Sequence, residues 1–223
     1  MIPRLVIFDV DGTLVDSQRQ IHASMTEAFL LQGHVAPELA AVLSIVGLSL
    51  PEAVARLAPD LPEAERGDIV AGYKATFNGL RAAGIAPLYP GIAEALKALA
   101  ARDDLLLGVA TGKSRRGLVH LLQAYGIEDL FVTRQVADDH PSKPHPSMLL
   151  AALAETGIAP QDAVMIGDTT FDMDMARAAG IAALGVAWGY HPAQALLAAG
   201  AGDVIASSAD LMPALDALWD RVA

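Results

Sequence analysis

The chain has 223 residues, of which 53% are apolar and 18% are charged, so it can bury a sizeable core and extensive disorder is not expected. Its formal net charge of −11 disfavours nucleic acid as a partner, although lysines and main-chain amides can still hold one phosphate group locally. The chain contains no cysteine, which excludes disulfide bonds and thiolate metal sites and is compatible with a reducing cytosol.

Two segments bear on where the protein resides. Asp9 and Asp11 interrupt the N-terminal apolar run, which argues against a secretory signal. Residues 178–202 carry no charged side chain and are numerous enough to span a bilayer, but several glycines and a Gly-Tyr-His-Pro sequence interrupt them. This pattern favours a strand, a turn and a short helix, so we expect no membrane span and a cytoplasmic protein.

Short apolar runs rich in β-branched residues alternate with helical patterns along most of the chain. The runs predict buried strands at residues 4–8, 105–110, 163–166 and 181–187, with weaker ones at 131–136 and 203–206. The helical patterns lie between them, at residues 91–101, 114–125, 146–156 and 172–179. Alternating strands and helices predict an α/β fold with a parallel, Rossmann-like sheet that is covered on both faces.

The segment after the first strand is different, because it contains helical patterns and no convincing strand. These patterns lie at residues 20–32, 37–46, 50–57 and 62–80. The chain then returns through Ala-Pro-Leu-Tyr-Pro-Gly at residues 86–91, whose prolines and glycine suit a hinge. We therefore predict a helical cap at residues 16–86, inserted into a core formed by residues 1–15 and 87–223.

The sequence Asp9-Val10-Asp11-Gly12-Thr13 directly follows the first predicted strand. Ligand sites of open parallel sheets lie at the carboxyl ends of their strands, so these two carboxylates are candidates for chemistry. The alternative is an ordinary turn with two solvated acidic residues.

Three further segments follow other predicted strands in the same way. Thr111 and Gly112 precede a predicted helix, where a hydroxyl and free amides can bind an anion, or where the threonine is simply part of a helix cap. Lys143 lies between prolines that fix its backbone. Asp168 and Asp172 follow the strand at 163–166, and Asp172 could instead only compensate a helix dipole.

The sequences FDVDGTLVDS, TGKS, SKPHP and GDTTFDMDMA, in this order, resemble the motifs of the haloacid dehalogenase-like hydrolase superfamily. They are most similar to phosphoglycolate-phosphatase-like members, and the helical insertion resembles the first cap class of that superfamily. The resemblance implies a magnesium-dependent phosphatase that hydrolyses a small phosphate monoester through an aspartyl-phosphate.

The resemblance also implies a role for each motif residue. Asp9 would be the nucleophile and Asp11 the general acid and base. Mg²⁺ would be bound by the carboxylates of Asp9 and Asp168 and by the main-chain carbonyl of Asp11. Five further residues complete the set: Thr111, Gly112 and Lys143 would bind the phosphate, Asp172 would hold a metal-bound water or orient Lys143, and Thr13 would brace the loop.

Several alternatives remain beside this interpretation. A phosphomutase would share Asp9 and Asp11. A phosphonatase would need a Schiff-base lysine from the cap, where Lys74 is the only lysine. A nucleotide-binding switch of the P-loop type is a third possibility, because Gly-Lys-Ser follows a strand at residues 112–114, but its loop is one residue too short.

The substrate and the partners are less well specified by the sequence. Specificity could come from cap residues 46–49 and from Arg19, His22, Arg56 or Lys74. We expect a small phosphorylated metabolite as the substrate, and a monomer or a homodimer that engages neither nucleic acid nor a membrane.

Overall fold

The computed structural model describes residues 3–220, without the side chains of residues 81–83. The strands are β1 (Arg4–Phe8), β2 (Leu105–Thr111), β3 (Phe131–Val136), β4 (Ala163–Gly167), β5 (Ala182–Val186) and β6 (Asp203–Ile205). The helices are α1 (Gln18–Leu31), α2 (Leu39–Leu43), α3 (Leu50–Leu57), α4 (Glu63–Ala83), α5 (Ile92–Ala100), α6 (Arg115–Tyr125), α7 (Ser147–Thr156), α8 (Thr170–Ala179), α9 (Ala193–Ala199) and α10 (Leu211–Asp220). No helix among residues 3–220 combines the length and the apolarity that crossing a membrane requires.

The strands form one parallel sheet in the order β3-β2-β1-β4-β5-β6. The chain builds outward from β1 first on one side and then on the other, so β1 lies between β2 and β4. An open sheet wound in this way has a crevice at the carboxyl ends of its central strands. The predicted parallel α/β fold is therefore confirmed.

Alternate residues of β1 face the two layers of helices. Val6 and Phe8 belong to the apolar cluster that contains α5, α6 and α10. Leu5 and Ile7 belong to the second cluster, which contains side chains of α7, α8 and α9. All four side chains are completely buried. This two-sided burial explains why the strand has a continuous apolar sequence instead of an alternating one.

Helices α1 to α4 pack around a third apolar cluster, which contains Met25, Val42, Val54 and Ile69. We keep the name cap for residues 16–86. The two segments that join the cap to the sheet lie side by side: the Asp16 amide donates to the Pro87 carbonyl at 2.9 Å, and the Tyr89 amide donates to the Leu14 carbonyl at 3.0 Å.

Most helix and strand ends differ slightly from the predicted bounds, and two of these differences lie beside the cavity described below. Strand β2 continues to Thr111, one residue further than predicted. The predicted helix at 37–46 is reduced to α2, because the amides of Ile45, Val46 and Leu48 bond to carbonyls only three residues back. Gly47 then adopts a φ of 99°, which only glycine adopts readily, and the chain turns toward the sheet.

Candidate active site

Asp9 and Asp11 lie on the loop that follows β1, at the central crevice of the sheet. The Asp9 amide donates to the Ile166 carbonyl at 2.9 Å, which ties the start of this loop to β4. Gly12 has a φ of 87°, and a Cβ atom there would lie 2.1 Å from Asp168 Oδ2. The turn therefore requires glycine at this position, and the backbone of Gly12 can then pack directly against the Asp168 carboxylate.

Lys143 joins two carboxylates in the interior. Its Nζ atom lies 2.9 Å from Asp9 Oδ1 and 2.6 Å from Asp172 Oδ1, and all three side chains are buried. Burial by itself would lower the pKa of Lys143, but the charges of Asp172 and Asp9 raise it above its usual value. Lys143 is therefore a permanent buried cation that offsets part of the negative charge around it.

Asp172 is held by the first turn of α8. Its Oδ2 atom accepts hydrogen bonds from the Thr169 amide at 3.1 Å and from the Thr169 hydroxyl at 2.7 Å, which is a capping box. Because its other oxygen contacts Lys143, both oxygens of Asp172 are already engaged.

Asp168 is bonded from two sides. The Thr13 hydroxyl donates to its Oδ1 atom at 2.9 Å, and the Tyr190 amide donates to its Oδ2 atom at 2.9 Å. Burial and the neighbouring Asp172 and Asp9 raise the pKa of Asp168 well above its usual value. Each of its oxygens retains a second lone pair for a further ligand.

The carboxylates of Asp9, Asp168 and Asp172 form a buried cluster that fits a metal ion. One oxygen from each lies within 4.8 Å of the others. Burial raises the pKa of Asp9 to about 7, although Lys143 acts in the opposite direction. The Lys143 ammonium lies 2.9 Å from the Oδ1 atom of Asp9, whereas its Oδ2 atom accepts no hydrogen bond from any residue in the described range 3–220. Carboxylate oxygens are the ligands that hard divalent cations prefer, and Asp9 and Asp168 have the capacity to provide them.

Thr111 and Gly112 lie at the end of β2. Thr111 is buried, and its hydroxyl oxygen accepts a hydrogen bond from the Lys113 amide at 3.2 Å. A Cβ atom at Gly112 would lie 2.5 Å from the Gly47 carbonyl oxygen and 2.6 Å from that of Leu48. The cap therefore rests directly on this loop.

Asp11 accepts two hydrogen bonds through one oxygen. The Ser17 hydroxyl donates to Asp11 Oδ1 at 2.6 Å, and Lys113 Nζ donates to the same atom at 2.9 Å. The Tyr190 hydroxyl lies 3.1 Å from the Ser17 hydroxyl.

Sequence reasoning missed Ser17, Lys113 and Tyr190 as site residues. Ser17 lies in FDVDGTLVDS and Lys113 lies in TGKS, so their places in these motifs could have identified them as candidates. Tyr190 is 173 residues from Ser17, and nothing in the sequence indicates that they meet.

A cavity of about 470 Å³ lies between the cap and the ends of the strands. Its walls include Asp9, Asp11, Thr111 and Gly112 from the core, together with cap residues 46–49 and Lys74. Lys143, Asp168 and Asp172 adjoin Asp9 but are not among the described residues that line this space.

The other proposed specificity residues are not brought together in the same way. Arg19, His22 and Arg56 do not belong to the described wall of the cavity. Arg56 instead forms an ion pair with Glu52 at 3.1 Å and lies 5.1 Å above the ring of Phe171.

Comparison with known proteins gives consistent matches. The family model for haloacid dehalogenase-like hydrolases matches residues 6–186. A probable phosphatase, IndB, of Dickeya dadantii is 36% identical over 96% of this chain and 94% of that protein. A phosphoglycolate phosphatase of Yersinia pestis is 31% identical over 95% of this chain and 93% of its own length. The crystal structure of a predicted phosphoglycolate phosphatase from Haemophilus somnus superposes with a TM-score of 0.83 at 26% identity, over 95% of this chain and 97% of that one.

Proposed function

The chain belongs to the haloacid dehalogenase-like hydrolase family, and from this premise we propose that it is a magnesium-dependent phosphatase acting on small phosphate monoesters. The observation that carries the proposal is the environment of Asp9. This buried carboxylate lies in the wall of the cavity, its Oδ2 atom accepts no hydrogen bond from residues 3–220, and the Lys143 ammonium lies 2.9 Å from its Oδ1 atom. Such a group is available both as a nucleophile and as a metal ligand.

In the first step Asp9 attacks phosphorus, the bond from phosphorus to the leaving oxygen breaks, and Asp11 gives a proton to that oxygen. In the second step Asp11 removes a proton from water, and the water oxygen attacks the phosphorus of the aspartyl-phosphate. The bond to Asp9 breaks, which releases inorganic phosphate and restores the carboxylate. The adjacent positions of Asp9 and Asp11 in the cavity wall support this division of roles.

The buried carboxylates support magnesium as the cofactor. We propose that Asp9 and Asp168 hold the ion with the main-chain carbonyl of Asp11, whereas Asp172 orients Lys143, because its Oδ1 atom contacts the Lys143 ammonium and its Oδ2 atom accepts two hydrogen bonds from Thr169. When bound, the ion supplies positive charge that offsets the repulsion between an anionic nucleophile and a phosphate dianion. Asp172 keeps the ammonium group of Lys143 directed at the reacting centre.

Thr111 and Gly112 are proposed to bind the non-bridging phosphate oxygens, together with Lys143. Thr111 and Gly112 line the cavity at the end of β2, next to the carboxylates of the first loop. Hydrogen bonds and positive charge at these oxygens stabilise a transition state in which negative charge accumulates there.

Two cations in the cavity wall support a leaving group that is itself anionic. Lys74 from α4 and Arg116 from α6 line the cavity, and neither forms an ion pair with a residue of the described range. Unpaired cations in a confined space attract a carboxylate or a second phosphate. We therefore propose 2-phosphoglycolate and small sugar phosphates as substrates of a cytoplasmic enzyme that is a monomer or a homodimer.

The direct test is phosphate release from 2-phosphoglycolate with and without magnesium. Wild-type protein should require the ion, and Asp9→Asn should lose at least about 10³-fold in rate because the nucleophile and a metal ligand are both weakened. Acid-quenched samples should carry a phosphoryl group on Asp9. An adduct on another residue, or full activity of Asp9→Asn, would contradict the proposal.

A phosphonatase is the second candidate, because Lys74, the only lysine of the cap, lines the cavity. This reaction would pass through a Schiff base between Lys74 and a carbonyl substrate. Borohydride should then trap phosphonoacetaldehyde on wild-type protein and not on Lys74→Met. The absence of a trapped adduct, together with hydrolysis of monoesters, would leave the phosphatase.

A further inference from the structure

The side chains of Asp11 and Ser17, six residues apart, meet the distant Tyr190 hydroxyl beside the cavity. The Ser17 hydroxyl donates to Asp11 Oδ1 at 2.6 Å, and the Tyr190 hydroxyl lies 3.1 Å from the Ser17 hydroxyl. The Ser17 amide also donates to the Tyr190 hydroxyl, at 3.3 Å. Tyr190 thus contacts both the side chain and the main chain of Ser17.

Counting protons gives this network a direction. The Oδ1 atom of Asp11 accepts from Ser17, so the single hydroxyl proton of Ser17 points to Asp11. The Ser17 oxygen must then accept from Tyr190, whose own oxygen accepts from the Ser17 amide. The network therefore runs from the amide of Ser17 through Tyr190 and back through the Ser17 hydroxyl to Asp11. Hydrogen bonds connected in one direction polarise and strengthen one another.

Tyr190 is itself fixed by its neighbours. Its amide donates to Asp168 Oδ2 at 2.9 Å, and its ring packs against the apolar cluster of the cap. The preceding Trp188 donates from Nε1 to the Thr13 carbonyl at 3.0 Å. Gly189 allows this approach, because a Cβ atom there would lie 2.1 Å from the Cβ atom of Asp168. The loop 188–190 therefore spans the two carboxylate-bearing loops of the site.

Both hydrogen bonds that Asp11 receives end on one oxygen. Ser17 and Lys113 donate to Oδ1, whereas no hydrogen bond from residues 3–220 reaches Oδ2. With Oδ1 held by two donors, the carboxylate cannot rotate without losing both of them. Oδ2 is then the oxygen that is free to carry a proton.

We infer that Tyr190 is a positioning residue, which acts through Ser17 to hold Asp11 with Oδ2 directed at the leaving group. The inference rests on the proposed phosphatase function. In the first step the proton on Asp11 Oδ2 passes to the leaving oxygen as its bond to phosphorus breaks. In the second step Oδ2 takes a proton from the attacking water. Tyr190 exchanges no proton with the substrate.

Tyr190→Phe tests this inference, because it removes the hydroxyl and keeps the ring that packs against the cap. Two esters of similar size are compared, phenyl phosphate and p-nitrophenyl phosphate, with kcat/KM as the measurement. The nitrophenolate leaves without much help from an acid, whereas phenolate needs protonation. We expect kcat/KM to fall about tenfold or more for phenyl phosphate and less than about threefold for p-nitrophenyl phosphate. The magnesium concentration for half-maximal rate should stay within about twofold of wild type.

Ser17→Ala provides a second route to the same measurement. Ser17 makes no side-chain capping bond to α1, so this variant removes the link to Asp11 and leaves the start of the helix intact. It should show the same selective loss for phenyl phosphate, and Ser17→Thr should recover most of it. If Tyr190→Phe does not fold, these two variants decide the question.

Tyr125→Phe is the matched control. The Tyr125 hydroxyl donates to the Ala86 carbonyl at 2.7 Å, so this variant also removes a tyrosine hydroxyl bond beside a cap linker. The Tyr125 hydroxyl makes no hydrogen bond to Asp11. In Tyr125→Phe, the ratio of kcat/KM for phenyl phosphate to kcat/KM for p-nitrophenyl phosphate should therefore remain that of wild type.

The results for the two esters distinguish failure of the positioning role from failure of the proposed phosphatase function. Equal losses for both esters in Tyr190→Phe and Ser17→Ala, with an active wild-type enzyme, would overturn the positioning role and leave the phosphatase intact. A wild-type protein that releases no phosphate with magnesium from either ester or from 2-phosphoglycolate would overturn both proposals.

Discussion

Asp9, Lys143 and Asp172 bring one cationic and two acidic side chains together in the buried interior. Removing one partner of such a group leaves the remaining charges buried without compensation. The resulting loss of folding stability is larger than the net contribution of the ion pair itself. The contacts at 2.9 Å and 2.6 Å make Lys143 the shared partner of both carboxylates. Its contribution to stability and its proposed contact with phosphate can therefore be tested in one variant.

We predict that Lys143→Met lowers the free energy of unfolding by about 3–5 kcal/mol, because two buried carboxylates lose their cation. The kcat/KM value should also fall by at least about 10²-fold as transition-state charge loses a partner. Urea denaturation and steady-state kinetics measure the two effects. Lys97→Met, on the exposed side of α5, should change neither. An unchanged unfolding free energy for Lys143→Met would contradict the buried triad.

Magnesium should stabilise the protein more at pH 8 than at pH 5. Burial raises the pKa of Asp9 to about 7, so the folded protein binds more protons than the unfolded chain between about pH 4 and pH 7. Stability from Asp9 is therefore present at low pH and is lost as the pH rises through 7. A magnesium ion bound beside the ionised Asp9 carboxylate should restore this stability. The gain in Tm on adding magnesium should increase with pH in wild type and much less in Asp9→Asn; equal gains at both pH values would contradict this.

The loop after β2 and the turn after α2 meet through their backbones. The Gly47 and Leu48 carbonyl oxygens occupy the space that a side chain on Gly112 would need. One residue further, the Ser49 amide donates to the Ser142 hydroxyl at 2.8 Å, beside the proposed phosphate-binding Lys143. The cap therefore contacts two of the core loops that carry the site.

We predict that Gly112→Ala displaces residues 47–49 and lowers kcat/KM at least about tenfold, since a misplacement near 1 Å is enough for such an effect. The protein should remain folded, which thermal denaturation checks. Gly67→Ala is the control, because a Cβ atom there meets nothing within 4 Å. It should stabilise α4 by about 0.5–1 kcal/mol and leave kcat/KM unchanged. Full activity of Gly112→Ala would show that the contact does not matter for catalysis.

The cavity lies between cap and core, so its charges come from both parts of the chain. We propose that residues 16–86 move as one unit, hinged where the segments around Val15 and Leu88 pair. Closure of this unit over a cavity of about 470 Å³ excludes water and limits the size of the leaving group. A net charge of −11 further disfavours large polyanions.

We predict that 2-phosphoglycolate has a higher kcat/KM than a phosphopeptide at the same magnesium concentration. The double variant Lys74→Gln/Arg116→Gln should lose about tenfold or more for 2-phosphoglycolate, because each cation contributes about 1 kcal/mol to binding an anion. It should lose little for ethyl phosphate, whose leaving group is neutral. Equal losses for the two esters, or better use of the phosphopeptide, would contradict the anionic, size-limited cavity.

The sequence alone determined the parallel α/β fold, because runs such as Arg4–Phe8 are continuously apolar, as strands covered on both sides must be. It also predicted that Asp9, Thr111 and Asp168 lie at one edge of the sheet, since residues that follow strands of a parallel sheet share that edge. Helix α2 was predicted too long, because the chain turns at Gly47, which packs against Thr169 and Phe171, and the local pattern does not indicate this contact.

Only the tertiary structure decided which partners these residues have. The contacts of Lys113 with Asp11 and of Tyr190 with Ser17 span 102 and 173 residues. Local patterns carry periodicity and turn chemistry, whereas such pairs depend on how the strand order and the paired cap linkers bring distant loops together. The identities of the chemical groups are therefore readable from the sequence, and their hydrogen-bond network is a property of the folded chain.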